Sequence, residues 1–178
     1  MIKNKIHIVR KKIEDACGRA GRKTSDIRLI AISKNHPQEN ILEALKYGIQ
    51  DFGENKGQEL QRKAEEISQD LRWHFVGHLQ TNKVKYVIKS ADYIHSVDSV
   101  KLAAEISKRA AKENKTQKIL LEVNTSGEES KFGIQNEDEL FKLANECKSF
   151  EYIDLRGLMT MAPYTDDESV IRKSFADL

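Results

Sequence analysis

At 178 residues, the chain is long enough for one domain with its own hydrophobic core. Its 30 basic and 28 acidic residues leave a formal net charge of +2, too small to indicate nucleic acid or another polyanion as a partner. Cys17 and Cys147 lack the close Cys or His neighbours of a zinc site, and no stretch resembles a signal peptide or membrane span, so we predict a cytoplasmic protein.

The first strand and helix are marked by clear signals. Apolar residues recur at helical spacing over residues 2–20, and Gly21 can end that helix. The apolar run at 29–32 has no polar alternation, which predicts a strand covered on both faces. Pro37 then favours a helix start, and Gly48 can cap the end of that helix.

Five further pairs of strand and helix follow in strict alternation. Asn136 with Glu139, and Thr165 with Glu168, have the spacing of a capping box at a helix start. With no linker between the pairs, the pattern predicts a parallel α/β fold. The five later strands are predicted at residues 49–52, 73–77, 93–97, 118–123 and 153–159.

Two architectures fit this alternation, a doubly wound sheet and a TIM-type barrel. The first loop reads SKNHP and has no glycine-rich phosphate motif, which favours the barrel. A closed barrel of this type needs eight units and typically about 250 residues. We therefore expect residues 1–178 to form a single barrel domain with six of the eight β/α units, truncated before strands 7 and 8, and to be weakly stable or to associate through its open edges.

Lys34 closes the first strand and is the main candidate for chemistry. Side chains alternate between the two faces of a strand, so Lys34 is expected on the same face as Ile30 and Ile32, with its amine pointing toward the interior. Burial lowers the pKa of a lysine, and the neutral amine can condense with an aldehyde to give a Schiff base. The alternative is a lysine that extends into solvent, which is the commoner fate of a single lysine.

Other polar residues stand at or just beyond the predicted strand ends. In a barrel these ends lie on one rim, where active and binding sites are built. One polar strand end is routine, but six on one rim indicate a site. They are Lys34, Asn55, His74, Ser96, Asn124 and Met159.

Motifs at these strand ends carry a family resemblance that extends over the whole chain. In order they are AISKNHP (31–37), FGENKGQE (52–59), WHFVGHLQTNK (73–83), IHSVD (94–98), VNTSGEESKFG (123–133) and RGLMTM (156–161). In this order the motifs resemble those of the pyridoxal phosphate homeostasis proteins, barrel proteins related to the N-terminal domain of alanine racemase.

The resemblance implies a cofactor site for pyridoxal 5'-phosphate (PLP). Lys34 matches the lysine that forms the aldimine, and Asn55 and His74 match pocket-lining residues. Without the resemblance, Asn55 reads as a turn or capping residue, and His74 as a histidine among core aromatic residues with its hydrogen bonds satisfied. Ser96 and Met159 are weaker candidates from the fourth and sixth strands.

A second lysine and two departures from the family pattern follow from the same comparison. Lys131 matches a possible secondary lysine near the pocket, or is a loop lysine in water. Lys56 and Gly57 replace an aromatic and an apolar residue common after GEN. The phosphate-binding GMS and VRIG-type motifs that follow the family's last two strands do not occur here, so we expect weakened PLP affinity.

The predicted function is a PLP-binding protein that acts in intracellular PLP homeostasis without catalysis of its own. PLP-dependent apoenzymes are possible recipients, and the full-length protein is expected to be a monomer. A PLP-dependent racemase or lyase is the alternative, but PLP catalysis needs a positioned acid or base and a dry site. A nucleic-acid-binding module is less favoured, because the basic stretches at 83–89 and 108–115 read as solvated helix faces.

Overall fold

Strands and helices alternate along the chain in the computed structural model, which describes residues 2–128 and 131–178. The strands are β1 (Ile30–Ile32), β2 (Asp51–Glu54), β3 (Arg72–Phe75), β4 (Tyr93–Val97), β5 (Gln117–Glu122) and β6 (Ile153–Met159). The helices are α1 (Ile2–Ala20), α2 (Gln38–Lys46), α3 (Gly57–Glu66), α4 (Val84–Val87), α5 (Val100–Lys112), α6 (Glu137–Ser149) and α7 (Glu168–Ala176).

All strand pairs are parallel, and their spatial order is the order of the sequence. Within the described ranges they form one six-stranded sheet, β1-β2-β3-β4-β5-β6, with β1 and β6 at its edges. A strand order that never reverses is that of a barrel wall and not of a doubly wound sheet. The predicted TIM-type architecture with six β/α units is therefore confirmed.

The hydrophobic core lies between the helices and one face of the sheet. Its largest fully buried apolar side chains are Phe52, Ile41, Leu60, Ile88, Ile94, Leu102, Ile106, Ile119 and Leu121. The prediction that β1 is covered on both faces is wrong, because Ile32 is 47% exposed. The helices cover only the outer face, whereas the inner face beside β1 remains open.

The helix caps test the local sequence signals. Ser99 caps α5 by accepting a hydrogen bond from the Leu102 N–H, and Asn136 caps α6 as predicted. At α7 the prediction was wrong by two residues, since Asp167 and not Thr165 is the N-cap. The Thr165 hydroxyl instead accepts from the Asp167 N–H and shapes the turn before the helix.

Cys17 and Cys147 are buried, and neither forms a disulfide in the part of the chain that the structure describes. No described helix is both long and apolar enough to cross a membrane. The described residues contain no group of three or more His, Cys, Asp or Glu side chains that could hold a metal ion.

Candidate functional site

Lys34 lies just beyond the end of β1, where the chain leaves the sheet. The strand ends at Ile32, Ser33 is buried, and Lys34 and Asn35 form a turn in which Asn35 adopts a positive φ of 61°. Lys34 is exposed, so the expectation that its amine points toward the interior is wrong. Lys34 does not continue the side-chain alternation of Ile30 and Ile32, because the extended conformation stops before residue 34.

A buried polar cluster holds this turn from behind. The Lys63 ammonium donates to the Ser33 carbonyl (2.8 Å), to Glu54 Oε1 (2.7 Å) and to Glu59 Oε1 (2.8 Å). Ser33 Oγ also donates to Glu54 Oε1 at 2.6 Å. Burial raises the pKa of Glu59, but the hydrogen bonds from Lys63 and from the Asn35 N–H outweigh it and leave that pKa below its usual value.

This cluster was not predicted from the sequence, although the sequence contains a signal for it. Lys63 falls on the apolar stripe of α3, three residues after Leu60 and four before Ile67. It is only 1% exposed. A lysine on the buried side of a helix requires partners, which here come from β2 and from the end of β1.

Asn55 and Ser96 have buried polar atoms at the edge of the sheet that is formed by the C-terminal ends of the strands. Asn55 follows the last residue of β2, and Ser96 lies near the end of β4. Asn55 Oδ1 and Ser96 Oγ are buried and have no hydrogen-bond partner among residues 2–128 and 131–178. Because buried polar atoms are nearly always paired, these two are candidate contacts for a ligand or water.

Gly77 lets the chain after β3 pass directly against Asn55. A Cβ at residue 77 would lie 2.8 Å from Asn55 Cα and closer still to the Asn55 carbonyl. Real Cβ atoms do not approach a backbone that closely, so only glycine fits without a shift. Gly77 therefore helps to set the position of Asn55.

Glu122 is a further buried acid, at the end of β5. Burial, with repulsion from Asp98, raises its pKa from the ordinary 4.5 to about 7. Its Oε2 atom has no hydrogen-bond partner in the described segments. The sequence analysis did not single out Glu122, although it interrupts an apolar run from residues 118 to 123.

His74 belongs to a separate network on the inner face of the sheet. Its Nε2 is 2.9 Å from Asp51 Oδ1, and its Nδ1 is 2.9 Å from His95 Nε2. Its ring also stacks on that of Tyr93, with ring centroids 4.9 Å apart. Arg72 binds both carboxylate oxygens of Asp51, at 2.8 and 2.7 Å.

The direction of these hydrogen bonds follows from the charges. Burial raises the pKa of Asp51, but hydrogen bonds from Arg72 and His74 outweigh it, so the carboxylate is ionised and accepts from His74 Nε2–H. His74 Nδ1 then accepts from His95 Nε2–H. Burial lowers the pKa of His74, and burial together with His74 lowers that of His95 to about 4. The structure thus favours the alternative of a satisfied histidine, and a cofactor contact by His74 stays a prediction.

Lys131 and Met159 lie at the far side of the same sheet edge. The Lys131 ammonium pairs with Glu128 at 2.6 Å and donates to the Ala162 carbonyl at 3.2 Å, so it is not a lysine surrounded by water. Met159 is the last residue of β6 and is half-buried. Residues 129 and 130 of the lysine's motif lie outside the described residues.

Asn124, the remaining rim residue, shapes its own loop. Its amide donates to the Glu128 and Lys131 carbonyls, and its Oδ1 accepts from Ser126. Because the strands are parallel, Lys34, Asn55, Ser96, Asn124 and Met159 all stand at one edge of the sheet. The structure therefore brings five of the six predicted residues to one edge and places His74 within the sheet.

Solved structures show the same architecture. A protein from Bifidobacterium adolescentis superposes with a TM-score of 0.88 at 35% identity, covering 99% of this chain and 76% of that one. PipY of Synechococcus elongatus, in a structure with PLP bound, superposes with a TM-score of 0.77 at 31% identity, covering 93% and 77%. An alanine racemase from Clostridium difficile, at 19% identity and a TM-score of 0.72, shares the fold.

Sequence comparisons give the family. The pyridoxal phosphate homeostasis protein of Aquifex aeolicus is 43% identical over 173 residues, which cover 96% of this chain and 75% of that protein. The family model "Alanine racemase, N-terminal domain" matches residues 9–178. The chain therefore belongs to the alanine racemase N-terminal domain family, together with the proteins named pyridoxal phosphate homeostasis protein.

Proposed function

We propose that this chain binds PLP through the Lys34 amine and takes part in PLP homeostasis. The observation that carries the proposal is the position of Lys34, exposed on a turn at the same sheet edge as the buried polar atoms of Asn55 and Ser96. The relatives named pyridoxal phosphate homeostasis protein, and the PLP-bound PipY, support it.

The residues fit this group. PLP, when bound, would supply an aldehyde, and the Lys34 amine would be the nucleophile that holds it. Lys34 would provide the nitrogen, and it is exposed to solvent. Asn55 Oδ1 can accept a hydrogen bond and Ser96 Oγ can donate or accept one, and neither bonding capacity is used by a partner among the described residues.

The role proposed for the protein is that of a carrier and not of an enzyme. Catalysis on an amino acid requires an acid or base placed at the reacting carbon and a site that excludes water. Both ring nitrogens of His74 are engaged by protein partners, and the Lys34 amine lies open to solvent. The same exposure of Lys34 supports a carrier, because a bound cofactor would be accessible from solvent to a recipient protein.

The location proposed for this activity is the cytoplasm, where PLP-dependent apoenzymes would be the recipients. Two buried thiols with no disulfide between them in the described chain support a reducing compartment. Reproducible racemisation or elimination of any amino acid by the PLP-loaded protein would favour the enzyme instead.

A spectroscopic experiment tests the role of Lys34. Protein mixed with PLP is expected to show a visible absorption band, and Lys34→Ala should abolish it because the nucleophile is removed. Lys46→Ala, which removes an exposed lysine from the last turn of α2, is the matched control and should keep the band.

Borohydride reduction followed by peptide mass spectrometry locates the attachment. The reduced adduct is expected on the peptide that contains Lys34. An unchanged band in Lys34→Ala, or an adduct found only on Lys131, would refute the assignment.

A further inference from the structure

We infer that Lys63 and Glu59 form a clamp that positions Lys34 by binding both of its peptide groups, an inference that rests on the proposed function of Lys34. The Ser33 carbonyl precedes Lys34 in the chain, and the Asn35 N–H follows it. Lys63 donates to the first at 2.8 Å, and Glu59 accepts from the second at 3.0 Å. The two clamp residues are themselves joined by a hydrogen bond of 2.8 Å.

The clamp is anchored in the protein interior. Lys63 is 1% exposed, and its three N–H donors meet three acceptors, so its ammonium group has no capacity left for water. One of those acceptors, Glu54, is 0% exposed and also receives the Ser33 hydroxyl. A buried charge that loses one of its partners is costly, which makes this arrangement resistant to distortion.

The turn needs such support because its backbone is not relaxed. Asn35 has φ of 61°, in the left-handed region that non-glycine residues adopt only at a cost. The Ser33 carbonyl also accepts from the His36 N–H at 3.0 Å, which closes the turn around Lys34. The hydrogen bond to Glu59 holds the peptide between Lys34 and Asn35 in that conformation.

The side chain of an exposed lysine is mobile, so the fixed element is the backbone from which it extends. A turn that populates several conformations presents the amine correctly only part of the time, and the apparent affinity falls by that fraction. Losing one hydrogen bond to a charged acceptor shifts such an equilibrium by at least about tenfold, so PLP binding is expected to weaken about tenfold. Lys63 and Glu59 are thus positioning residues that act through Lys34 and do not touch the cofactor.

The test compares variants of Glu59, because this clamp residue is partly exposed and the fold can tolerate its substitution. Glu59→Ala removes the acceptor for the Asn35 N–H, whereas Glu59→Gln keeps an oxygen at that place and should rescue it. Glu66→Ala, on the same helix, removes only the exposed pair with Arg62 and is the control. Lys63→Met, which removes the donor to the Ser33 carbonyl, is a second variant of the clamp, and its unfolding curve must first show a folded protein.

The first readout needs no cofactor. Amide hydrogen exchange of the PLP-free protein should show the Asn35 amide exchanging about tenfold faster in Glu59→Ala, and near the wild-type rate in Glu59→Gln and Glu66→Ala. The second readout is the PLP dissociation constant from the absorption band. It should rise about tenfold in Glu59→Ala and stay near wild type in the other two.

The outcomes separate the clamp from the proposed function. Unchanged Asn35 exchange in Glu59→Ala, or faster exchange with unaltered PLP affinity, overturns the clamp while leaving the Lys34 attachment intact. A wild-type protein with no Lys34-dependent band overturns the proposed function, and the clamp's role in binding falls with it. Equal loss of affinity in Glu59→Ala and Glu66→Ala would also overturn the clamp, since it would reflect a general change in α3.

Discussion

Glu122→Gln should remove a specific part of the pH dependence of stability. Glu122 is 5% exposed, and its pKa is raised from 4.5 to about 7. Between these values the folded state binds more protons than the unfolded state, so the free energy of unfolding falls as pH rises. Stability from this group is complete below pH 4.5 and is lost as pH rises through about 7.

The magnitude follows from the two pKa values. At about 1.4 kcal/mol for each pKa unit, the difference corresponds to a loss of up to about 3 kcal/mol between pH 4.5 and 8. Glutamine stays neutral in both states, so Glu122→Gln should avoid this loss. The variant should match the wild type near pH 4.5 and exceed it in stability at pH 8.

Urea unfolding at a series of pH values measures the effect. Because the pKa values of His74 and His95 are lowered, their contribution to stability rises with pH below 6.5, opposite to that of Glu122. The pH curve of the wild type alone therefore combines both effects. The difference between wild type and Glu122→Gln cancels the histidine contribution. Glu151→Gln, at an exposed glutamate, is the control. Parallel pH curves for wild type and Glu122→Gln would show that Glu122 ionises normally and would refute the reasoning.

Two further predictions concern the neighbouring elements. Gly77→Ala forces a Cβ against the Asn55 backbone and should lower the free energy of unfolding in urea by about 1–3 kcal/mol, with weaker PLP binding. Wild-type stability of this variant would show that residue 77 approaches Asn55 less closely than 2.8 Å. Asp51→Asn weakens the bonds to Arg72 and His74 and should cost about 1–3 kcal/mol at pH 7. Because the pKa of Asp51 is lowered, its contribution is present above pH of about 4 and is lost as pH falls, so the acid unfolding of Asp51→Asn should be shallower than that of the wild type.

The sequence was sufficient for the order of elements because each strand and helix has a local signal. The apolar stripe of α1, the Ser99 cap and the Asn136 cap are all contained within a few neighbouring residues. Strict alternation then limits the sheet to parallel pairing. The edge at which Lys34, Asn55 and Ser96 stand follows from that pairing alone.

Other parts of the site depend on contacts between distant segments. His74 meets His95 only because His74 pairs with Tyr93 in the register of β3 and β4, and neither strand's sequence by itself names its partner residues on the other strand. The clamp joins Lys63 to Ser33, thirty residues earlier in the chain. The exposure of Lys34 depends on the end of β1 at Ile32, a boundary that propensity locates poorly.

The buried cysteines have a chemical consequence for a protein proposed to carry an aldehyde. Thiols add to aldehydes as thiolates, and burial raises the pKa of the Cys147 thiol to about 11. At neutral pH only about one molecule in ten thousand then carries the reactive sulfur anion at this position. Cys147 is thereby withdrawn from competition with the Lys34 amine for the aldehyde that we propose the protein binds.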